Sequence, residues 1–587
     1  MIKKITFIAL IILAVYGCKK DANITASAVD DAAFDNYKTD FLEKLWKLDP
    51  NRATTAGYHT YDSLLVIPGS KSRNAMMNFT KVQMDSLAKY NPDVLSEDNK
   101  MDYHLIQDQM DAIQWKLQQE KAYEWDPGTY NVISPFAIIL NENYAPLAKR
   151  LRNFYQKMDF LPDYYKEAKK QVKNPVPELT DLATEQLTGG VSVIEKDFAD
   201  SLKKSGIPDA EQKLMLARAQ ASAAVIKDFV TWLKTLKNEH PRSFRLGKQL
   251  YEGKFKNEIQ AAGSAQQLYN AAVERKRTVH LEMAKLSIKL WPKYFGKAPM
   301  PADTLQLIAQ MIDTLSRKHV KPEEFQSAIE KEIPQLASFV RSKDLLTIDD
   351  SKPLIIRKEP AYMAGVAGAS VNSAGPYDKK GNIYFNVGSL AGWPADKAES
   401  YLREYNQYTL QILCMHEGIP GHYVQQVYAN KSPDIIKAVL ENDAMVEGWA
   451  VYGEQMMLES GFGNNEPEMW LMWYKWHLRS VCNMIVDYNV HAGNMTKDDA
   501  IKLLTYEAFQ QPAEADNKWK RLTETSVQLT SYFSGYQEIM DLRNAYKKKM
   551  GDKYSLEEFN EKFLSFGSAP VKYIKDAMLA KPQEAKK

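Results

Sequence analysis

The densest group of chemically active side chains in the sequence lies between His416 and His422, in the segment His-Glu-Gly-Ile-Pro-Gly-His. Two imidazoles and the carboxylate of Glu417 are residue types that bind zinc and activate a water molecule. In the familiar zinc-peptidase pattern H-E-x-x-H, the two histidines share one helical face, so both imidazoles reach one ion. The segment therefore indicates a metal site, although its histidines are two residues further apart than in that pattern.

The spacing of these histidines requires a break in the helix. In an unbroken helix, six positions would turn the second imidazole about 120° away from the first. Pro420 lacks an amide hydrogen and clashes with the preceding turn, while Gly418 and Gly421 permit backbone angles closed to other residues. We therefore predict a bulged or broken turn at residues 418–421 that brings His422 back beside His416. The alternative is two unrelated histidines in the core or on the surface.

A catalytic zinc site needs a third protein ligand and one position left for water. Glu447 is the candidate, because it lies beyond His422 in Val-Glu-Gly-Trp-Ala-Val-Tyr-Gly-Glu, a segment with helical spacing. Glu454 lies two turns further along the same helical face, where it could hydrogen-bond a liganding imidazole. The alternative for Glu454 is a solvated surface carboxylate.

The elements that would position these residues are mostly helical. Apolar residues recur at helical spacing from about Asp31 to Leu345 and again from Lys397 almost to the end of the chain. Two of the predicted apolar faces are Phe41, Leu42, Leu45, Trp46, Leu48 and Leu214, Ala217, Ala221, Val225, Phe229, Trp232, Leu233. Prolines expected at helix boundaries are Pro50, Pro92, Pro127, Pro135, Pro162, Pro175 and Pro177.

Between about residues 353 and 387 the pattern changes to β-prone pieces separated by Gly and Ala, which predicts a small sheet. Its segment 382–387 could pair edge-on with a substrate backbone. The stretch 365–375 has neither a phosphate-loop lysine nor a dinucleotide fingerprint, so we interpret it as a mobile or ligand-facing loop. The predicted fold is mainly α, one two-lobed body with an N-terminal helical region at 31–345 and a catalytic region at 346–580.

The N-terminal residues resemble an export signal. Lys3 and Lys4 precede an apolar run that is too short to span a bilayer, so residues 1–17 are predicted to be a signal peptide. The run ends in Val-Tyr-Gly-Cys, which resembles a bacterial lipobox and predicts acylation of Cys18. Residues 18–30 would then form a lipidated tether. The alternative is a plain secretory signal.

Composition narrows the classes of partner. The 587 residues are 45% apolar and 26% charged, as in globular proteins, and the formal net charge is +2. No basic stripe is present for a phosphate backbone, so nucleic acid is excluded as a partner. Apart from the acylated Cys18, the mature chain contains only Cys414 and Cys482, and we predict both to be buried and unpaired. The lysine-rich tail 581–587 is predicted to be disordered. The sequence does not indicate an oligomeric state.

At the residues of the metal site, the chain resembles a bacterial family of zinc-peptidase-like lipoproteins, domain of unknown function 885. The resemblance rests on the His-Glu-x-Ile-Pro-Gly-His block at residues 416–422 and the Glu-Gly-Trp-Ala block at 447–450. Similar blocks occur at Ala53 to Asp62, Val486 to His491, Ser531 to Gly535 and Leu542-Arg543.

This resemblance implies a gluzincin-like, multi-helical body with a deep channel and a zinc-dependent hydrolytic activity. It implies that His491 or Tyr532 donates a hydrogen bond to the oxyanion that forms during hydrolysis. It also suggests that Arg543 pairs with a substrate carboxylate or with an internal acid such as Asp487. A lipoprotein of this kind belongs in the bacterial envelope, and Lys19 and Lys20 do not resemble an inner-membrane retention signal, so the outer membrane is expected.

The resulting hypothesis is a zinc metallopeptidase of the bacterial envelope. Zinc held by His416, His422 and Glu447 would lower the pKa of a water molecule toward about 7, and Glu417 would take its proton as general base. The peptide substrate's identity and length, and the position of the cut, stay open. One alternative is a lipoprotein that binds peptides or glycans through a structural or vestigial zinc. Another is a zinc amidase acting on a non-peptide substrate. No G-x-S-x-G elbow is present, which disfavours a serine hydrolase.

Overall fold

A computed structural model describes residues 18–236, 238–359, 369–373, 375–378, 381–432 and 434–580. The predicted signal peptide at 1–17, the predicted disordered tail at 581–587 and residues 365–368 and 374 of the predicted loop lie outside the described residues. No helix in the described part of the chain combines the length and the apolar character that crossing a membrane requires.

Helices form most of the described chain, as the sequence predicts. In order they are Cys18–Leu48 (α1), Pro50–Thr55 (α2), Ser70–Leu87 (α3), Glu97–Trp115 (α4), Ile133–Asn141 (α5), Leu147–Met158 (α6), Leu161–Gln171 (α7), Pro177–Ser192 (α8), Phe198–Leu202 (α9), Asp209–Thr235 (α10), Lys248–Glu258 (α11), Ala265–Phe295 (α12), Thr304–Ser316 (α13), Phe325–Ser342 (α14), Ala395–Glu404 (α15), Gln407–Glu417 (α16), His422–Lys431 (α17), Ile435–Val439 (α18), Asp443–Glu459 (α19), Pro467–His491 (α20), Lys497–Lys502 (α21), Pro512–Glu524 (α22), Ser531–Met550 (α23), Leu556–Ser565 (α24) and Val571–Leu579 (α25).

Local signals account for several helix boundaries. Pro50, Pro162 and Pro177 each stand in the first turn of a helix, where a missing amide hydrogen costs nothing. The predicted face around residue 214 lies in α10, but the buried stripe there starts at Met215, and Leu214 is exposed. Residues 18–30, predicted to be a tether, form the first turns of α1.

The small sheet has three strands: Leu354–Lys358 (β1), Ala369–Ser373 (β2) and Ile383–Val387 (β3). Their order is β1-β3-β2, with β3 parallel to β1 and antiparallel to β2. The predicted sheet at 353–387 is therefore confirmed. The interpretation of 365–375 as a loop is wrong for residues 369–373, because they pair with β3 as strand β2. The suggestion that 382–387 could pair with a substrate is wrong, because β3 is the central strand and its neighbours take both sets of backbone groups.

The buried side chains form two apolar cores. The smaller core takes its residues from Leu65 and from positions 130–233, within α5 to α10. The larger core joins the first helices of the chain, such as α1 and α4, to α12 and to the C-terminal helices. Residues on both sides of position 345 thus share one core, and the division of the chain there remains a prediction. Cys414 and Cys482 are buried and unpaired, as predicted.

Candidate metal centre

The predicted helix break lies between α16, which ends at Glu417, and α17, which begins at His422. The amide of Gly421 donates to the carbonyl of Met415 at 2.9 Å, so the chain folds back on the end of α16. The indole of Trp449 donates to the carbonyl of Pro420 at 2.9 Å and ties the turn to α19. The Ile419–Pro420 peptide bond is cis. The prediction of a broken turn at 418–421 is confirmed.

Gly421 is the residue on which this turn depends most. A Cβ atom added there would lie 1.8 Å from the carbonyl oxygen of His416, far inside van der Waals contact. Only glycine therefore allows the backbone to pass so close to the end of α16. This close approach returns His422 to the side of His416, and the centroids of their rings are 4.8 Å apart.

Glu447 on α19 completes a set of three donors. Its Oε2 atom lies 3.5 Å from Nε2 of His416 and 3.4 Å from Nε2 of His422. Zinc bonds to nitrogen and carboxylate oxygen are about 2.0–2.2 Å long, so two ligand atoms of a tetrahedral site are separated by about 3.3–3.6 Å. The two observed separations match the edges of such a tetrahedron.

The polar atoms of these residues also fit a divalent cation. The Oε2 atom of Glu447 is buried and has no hydrogen-bond partner of good geometry. Burial tends to raise the pKa of Glu447, but hydrogen bonds and charge from the two histidines hold it well below its usual range. Burial tends to lower the pKa of His416, yet hydrogen bonds to Glu447 and Glu454 raise it to about 10. A cluster that attracts positive charge so strongly suits a zinc ion.

Glu454 supports the first ligand from behind. Nδ1 of His416 donates to Oε1 of Glu454 at 2.7 Å, which leaves Nε2 free to face the other donors. The same oxygen accepts a hydrogen bond from the indole of Trp476 at 3.0 Å, and the side chain of Glu454 is fully buried. Glu454 therefore orients the imidazole of His416, as predicted, and is not a solvated surface carboxylate.

Glu417 lies beside the three donors. One ligand atom each from His416, Glu417 and His422 falls within 4.8 Å of the others. The carboxylate of Glu417 accepts a hydrogen bond from the backbone amide of Val371 in β2. Burial raises its pKa, against the opposing charges of the two histidines. We assign Glu447 rather than Glu417 as the third ligand, because Glu447 is within 3.5 Å of both imidazoles.

Tyr532 lies over the site from α23. Its ring centroid is 6.3 Å from that of His416, and the two rings are nearly parallel. Burial and the charge of Glu447 raise the pKa of Tyr532 to about 12, so its hydroxyl stays protonated and can donate. Gly448 and Gly535 allow this placement, because a Cβ on Gly448 would lie 2.3 Å from the backbone of Gly535.

His491 does not contact the three donors. It ends α20, about 22 Å along that helix from Trp476, whose indole bonds Glu454 behind His416. Its Nε2 atom bonds the carbonyl of Leu522, and its ring stacks on Tyr251. The predicted role of His491 as an oxyanion donor is therefore wrong, and its contacts support the end of α22 instead.

Arg543 also lies away from the site, about 16 Å beyond Tyr532 along α23. Its guanidinium pairs with Glu459 at 2.7 Å. Of the two predicted roles of Arg543, pairing with a substrate carboxylate or with an internal acid, the structure shows the internal ion pair. Its partner is Glu459 and not Asp487. Asp487 instead accepts hydrogen bonds from the hydroxyl of Tyr251 and the amide of Val527.

Arg521 is a residue of the candidate site that the sequence does not reveal. Its guanidinium donates to the hydroxyl of Tyr532 at 3.4 Å and to Oε1 of Gln528 at 2.6 Å. No motif marks this arginine, because it stands alone on the polar helix α22. Only the fold brings it next to Tyr532.

Comparison with known families and structures agrees with this fold. The family described as bacterial protein of unknown function, DUF885, matches residues 50–578. A search of curated proteins finds no match.

Two solved structures are similar over nearly their whole length. The first, described as a candidate lipoprotein of unknown function from Shewanella oneidensis, is 47% identical with a TM-score of 0.84, covering 93% of this chain and 100% of that one. The second, a candidate lipoprotein from Colwellia psychrerythraea, is 15% identical with a TM-score of 0.76, covering 94% of this chain and 98% of that one. The second likeness supports the fold alone.

Proposed function

The chain belongs to the DUF885 family of bacterial proteins of unknown function, and we propose that it is a zinc-dependent hydrolase that cleaves peptides in the bacterial envelope. One observation carries the proposal. Donor atoms from three separate helices, His416 on α16, His422 on α17 and Glu447 on α19, converge with the spacing of a tetrahedral zinc site. Glu417 lies beside them, with one ligand atom within 4.8 Å of one from each histidine.

When bound, zinc would supply a Lewis acid that polarises a carbonyl group and lowers the pKa of a water molecule toward about 7. Glu417 is placed to take the proton of that water, and its raised pKa suits a group that accepts a proton and then returns it to the leaving amine. Tyr532 keeps its hydroxyl proton and can donate it in a hydrogen bond to a carbonyl oxygen that becomes negatively charged. Arg521 bonds the oxygen of Tyr532 and holds that hydroxyl in position.

Partial exposure of the same groups supports a substrate role. The side chains of His422 and Glu447 are 12% and 18% exposed, so solvent reaches them. Glu417, Tyr532 and Arg521 are likewise half-buried. A purely structural zinc site is closed by four protein ligands and needs no adjacent base. The combination of three donors, a nearby carboxylate and residual exposure therefore favours hydrolysis over a structural metal.

The proposed location is the bacterial envelope, with a lipid anchor at Cys18. It rests on the lipobox-like Val-Tyr-Gly-Cys at residues 15–18 and on the similar protein from Shewanella oneidensis, which is described as a candidate lipoprotein. The outer membrane is the proposed location of the anchor, because Lys19 and Lys20 do not resemble an inner-membrane retention signal. Mass spectrometry of the mature chain from its native envelope fraction tests the anchor, since acylation adds a diagnostic mass at Cys18.

The activity is tested by metal analysis of the purified mature chain together with a peptide-library digest, with and without a chelator. We expect about one zinc per chain and cleavage that the chelator abolishes and added zinc restores. Glu417→Gln should keep the metal and lose cleavage, whereas the exposed Glu466→Gln should change neither. Cleavage that survives chelation would refute the proposal. Bound peptide without cleavage, unchanged in Glu417→Gln, would identify a binding protein instead.

A further inference from the structure

A buried cluster of charged side chains adjoins the metal centre on the side of α20 and α22. Glu404 accepts from Lys475 at 2.7 Å and from Arg479 at 3.1 Å, and Arg479 also pairs with Glu514 at 2.6 Å. Lys518 and Arg521 lie three residues apart on α22 and face the same cluster. The basic side chains of the cluster thus outnumber its two carboxylates by two.

Lys518 is the basic residue that lacks a partner. Its side chain is buried, with 6% of the residue exposed. Among the residues that the structure describes, no carboxylate lies within ion-pair distance of its amine, because Arg479 and Lys475 occupy the two nearby carboxylates. Burial and the charges of Arg479 and Arg521 lower the pKa of Lys518 to about 7. An amine that is nearly enclosed and has no ion-pair partner is costly to keep charged unless something else binds it.

Arg521 connects Lys518 to the metal centre. Its hydrogen-bond partners are the uncharged side chains of Gln528 and Tyr532, so its charge is not neutralised by a bonded carboxylate in the described part of the chain. Residues three apart on a helix have Cβ atoms about 5–6 Å apart, which puts one anion within reach of both cations. Arginine and lysine side by side are a common recognition pair for carboxylates.

The distances place this cation pair close to the reacting bond. Arg521 is 3.4 Å from the hydroxyl of Tyr532, and the ring of Tyr532 is 6.3 Å from that of His416. With about 3 Å from a tyrosine hydroxyl to its ring centre, these distances place the guanidinium of Arg521 at most about 13 Å from the imidazole of His416. A peptide extends by about 3.3–3.6 Å per residue, so this span corresponds to no more than about four residues.

We propose that Lys518 and Arg521 bind a carboxylate of the peptide substrate, its free C-terminal carboxylate, and so make the proposed hydrolase a carboxypeptidase-like enzyme that removes a short C-terminal segment. The inference rests on the proposed function and adds the class of substrate and the end that is cut. An acidic side chain near the scissile bond offers the same chemistry, and the experiment separates the two sources.

The test uses three matched hexapeptide libraries with the zinc-loaded mature chain: free C-terminal acids, C-terminal amides, and amides with Asp or Glu in the last three positions. We expect kcat/KM for free acids to exceed that for plain amides by about 10- to 100-fold, the range for losing one charge-assisted contact. Lys518→Met should remove this preference, so that free acids and plain amides are cleaved at similar rates. Retained zinc content and an unchanged circular dichroism spectrum show that the variant is folded.

The control is Lys520→Met, an exposed lysine on the same helix, which should keep the preference. Equal cleavage of acids and amides by the wild type, or a preference that survives Lys518→Met, would overturn the inference while leaving the hydrolase proposal intact. A preference for acidic amides over free acids would also overturn it, by assigning the site to side chains.

The peptidase proposal can fail separately. If the wild type cleaves none of the libraries, calorimetric titration of zinc-loaded Glu417→Gln with the same peptides still decides the carboxylate site. Tighter binding of free acids than of amides, lost on adding Lys518→Met, would support it. Equal binding of the two, or no binding of either, would overturn it.

Discussion

Replacing Glu454 by glutamine should weaken zinc binding without altering any of the three donors. The carboxylate is fully buried, and its Oε1 atom holds both His416 and the indole of Trp476. In glutamine the amide oxygen can keep these two hydrogen bonds, so the variant removes mainly the negative charge behind the imidazole. The new amide NH2 group would also face the indole of Trp473, which interacts with the carboxylate in the native chain.

The expected size of the effect follows from these contacts. Replacing a group that orients a zinc-bound imidazole costs about 10- to 100-fold in metal affinity. A tenfold loss corresponds to about 1.4 kcal/mol. Without metal, Glu454 also stabilises the protonated form of His416, whose pKa it helps to raise to about 10. The substitution breaks this buried pair, so the metal-free variant should be less stable than the metal-free wild type, and its zinc complex should be weaker as well.

Competition with a chromophoric chelator measures the zinc affinity, and calorimetry of the metal-free chain measures its stability. Glu459→Gln is the matched control, because Glu459 lies on the same helix, is partly exposed and pairs with Arg543 away from the donors. It should leave the zinc affinity unchanged. Equal zinc affinities for wild type and Glu454→Gln would refute the reasoning that the buried carboxylate tunes His416.

Three further outcomes are expected. Gly421→Ala places a Cβ atom 1.8 Å from the carbonyl oxygen of His416, so zinc binding should be lost and the free energy of unfolding should fall by about 1–3 kcal/mol or more in a denaturant titration; an unchanged zinc affinity would contradict the turn. Tyr532→Phe should lower kcat by about 100-fold with zinc retained, whereas His491→Gln should leave the metal content intact and change kcat much less. Steady-state kinetics on one peptide measures both losses, and a larger loss of kcat in His491→Gln would contradict the assignment. Burial and the charges of Arg479 and Arg521, opposed by Glu514 and Glu404, lower the pKa of Lys518 to about 7, so its amine loses its proton above that pH. The Kd for free-acid peptides should therefore rise by up to tenfold per pH unit, until the pH reaches the higher pKa of the anion-bound amine. A Kd that is flat from pH 7 to 9, or that rises equally in Lys518→Met, would count against this role of Lys518.

Local signals made the centre of the site predictable. Pro420 and the two glycines around it specify the break between α16 and α17 within a few residues of chain, and the histidines need only that break to meet. Glu447 was predictable because its helix follows at a short separation and packs against α16. These features depend on backbone chemistry that is visible in the sequence.

The misassigned residues depend on non-local packing. His491 and Arg543 received roles from a resemblance to other zinc hydrolases, and nothing in their own neighbourhood distinguishes a catalytic side chain from a structural one. The position of β3 in the centre of the sheet depends on which strands pair, which spacing alone does not determine. In α10, periodicity identified the helix but misplaced the start of its buried stripe by one residue, because packing partners decide the face.

Arg521 and Lys518 illustrate a further limit. A basic residue on a polar helix normally indicates a solvated face. The sequence offers no sign that Lys518 is buried and Arg521 half-buried beside the candidate metal centre. Lys518 and Arg521 are available to bind an anion because Lys475 and Arg479 already pair with Glu404 and Glu514. Only the folded structure reveals these pairs.

Anomalous diffraction at the zinc absorption edge, from crystals of the zinc-loaded mature chain, tests the central claim most directly. The expected result is one strong peak about 2.0–2.2 Å from Nε2 of His416, Nε2 of His422 and a carboxylate oxygen of Glu447. A peak bound elsewhere, or zinc-saturated crystals without density among these three side chains, would contradict it.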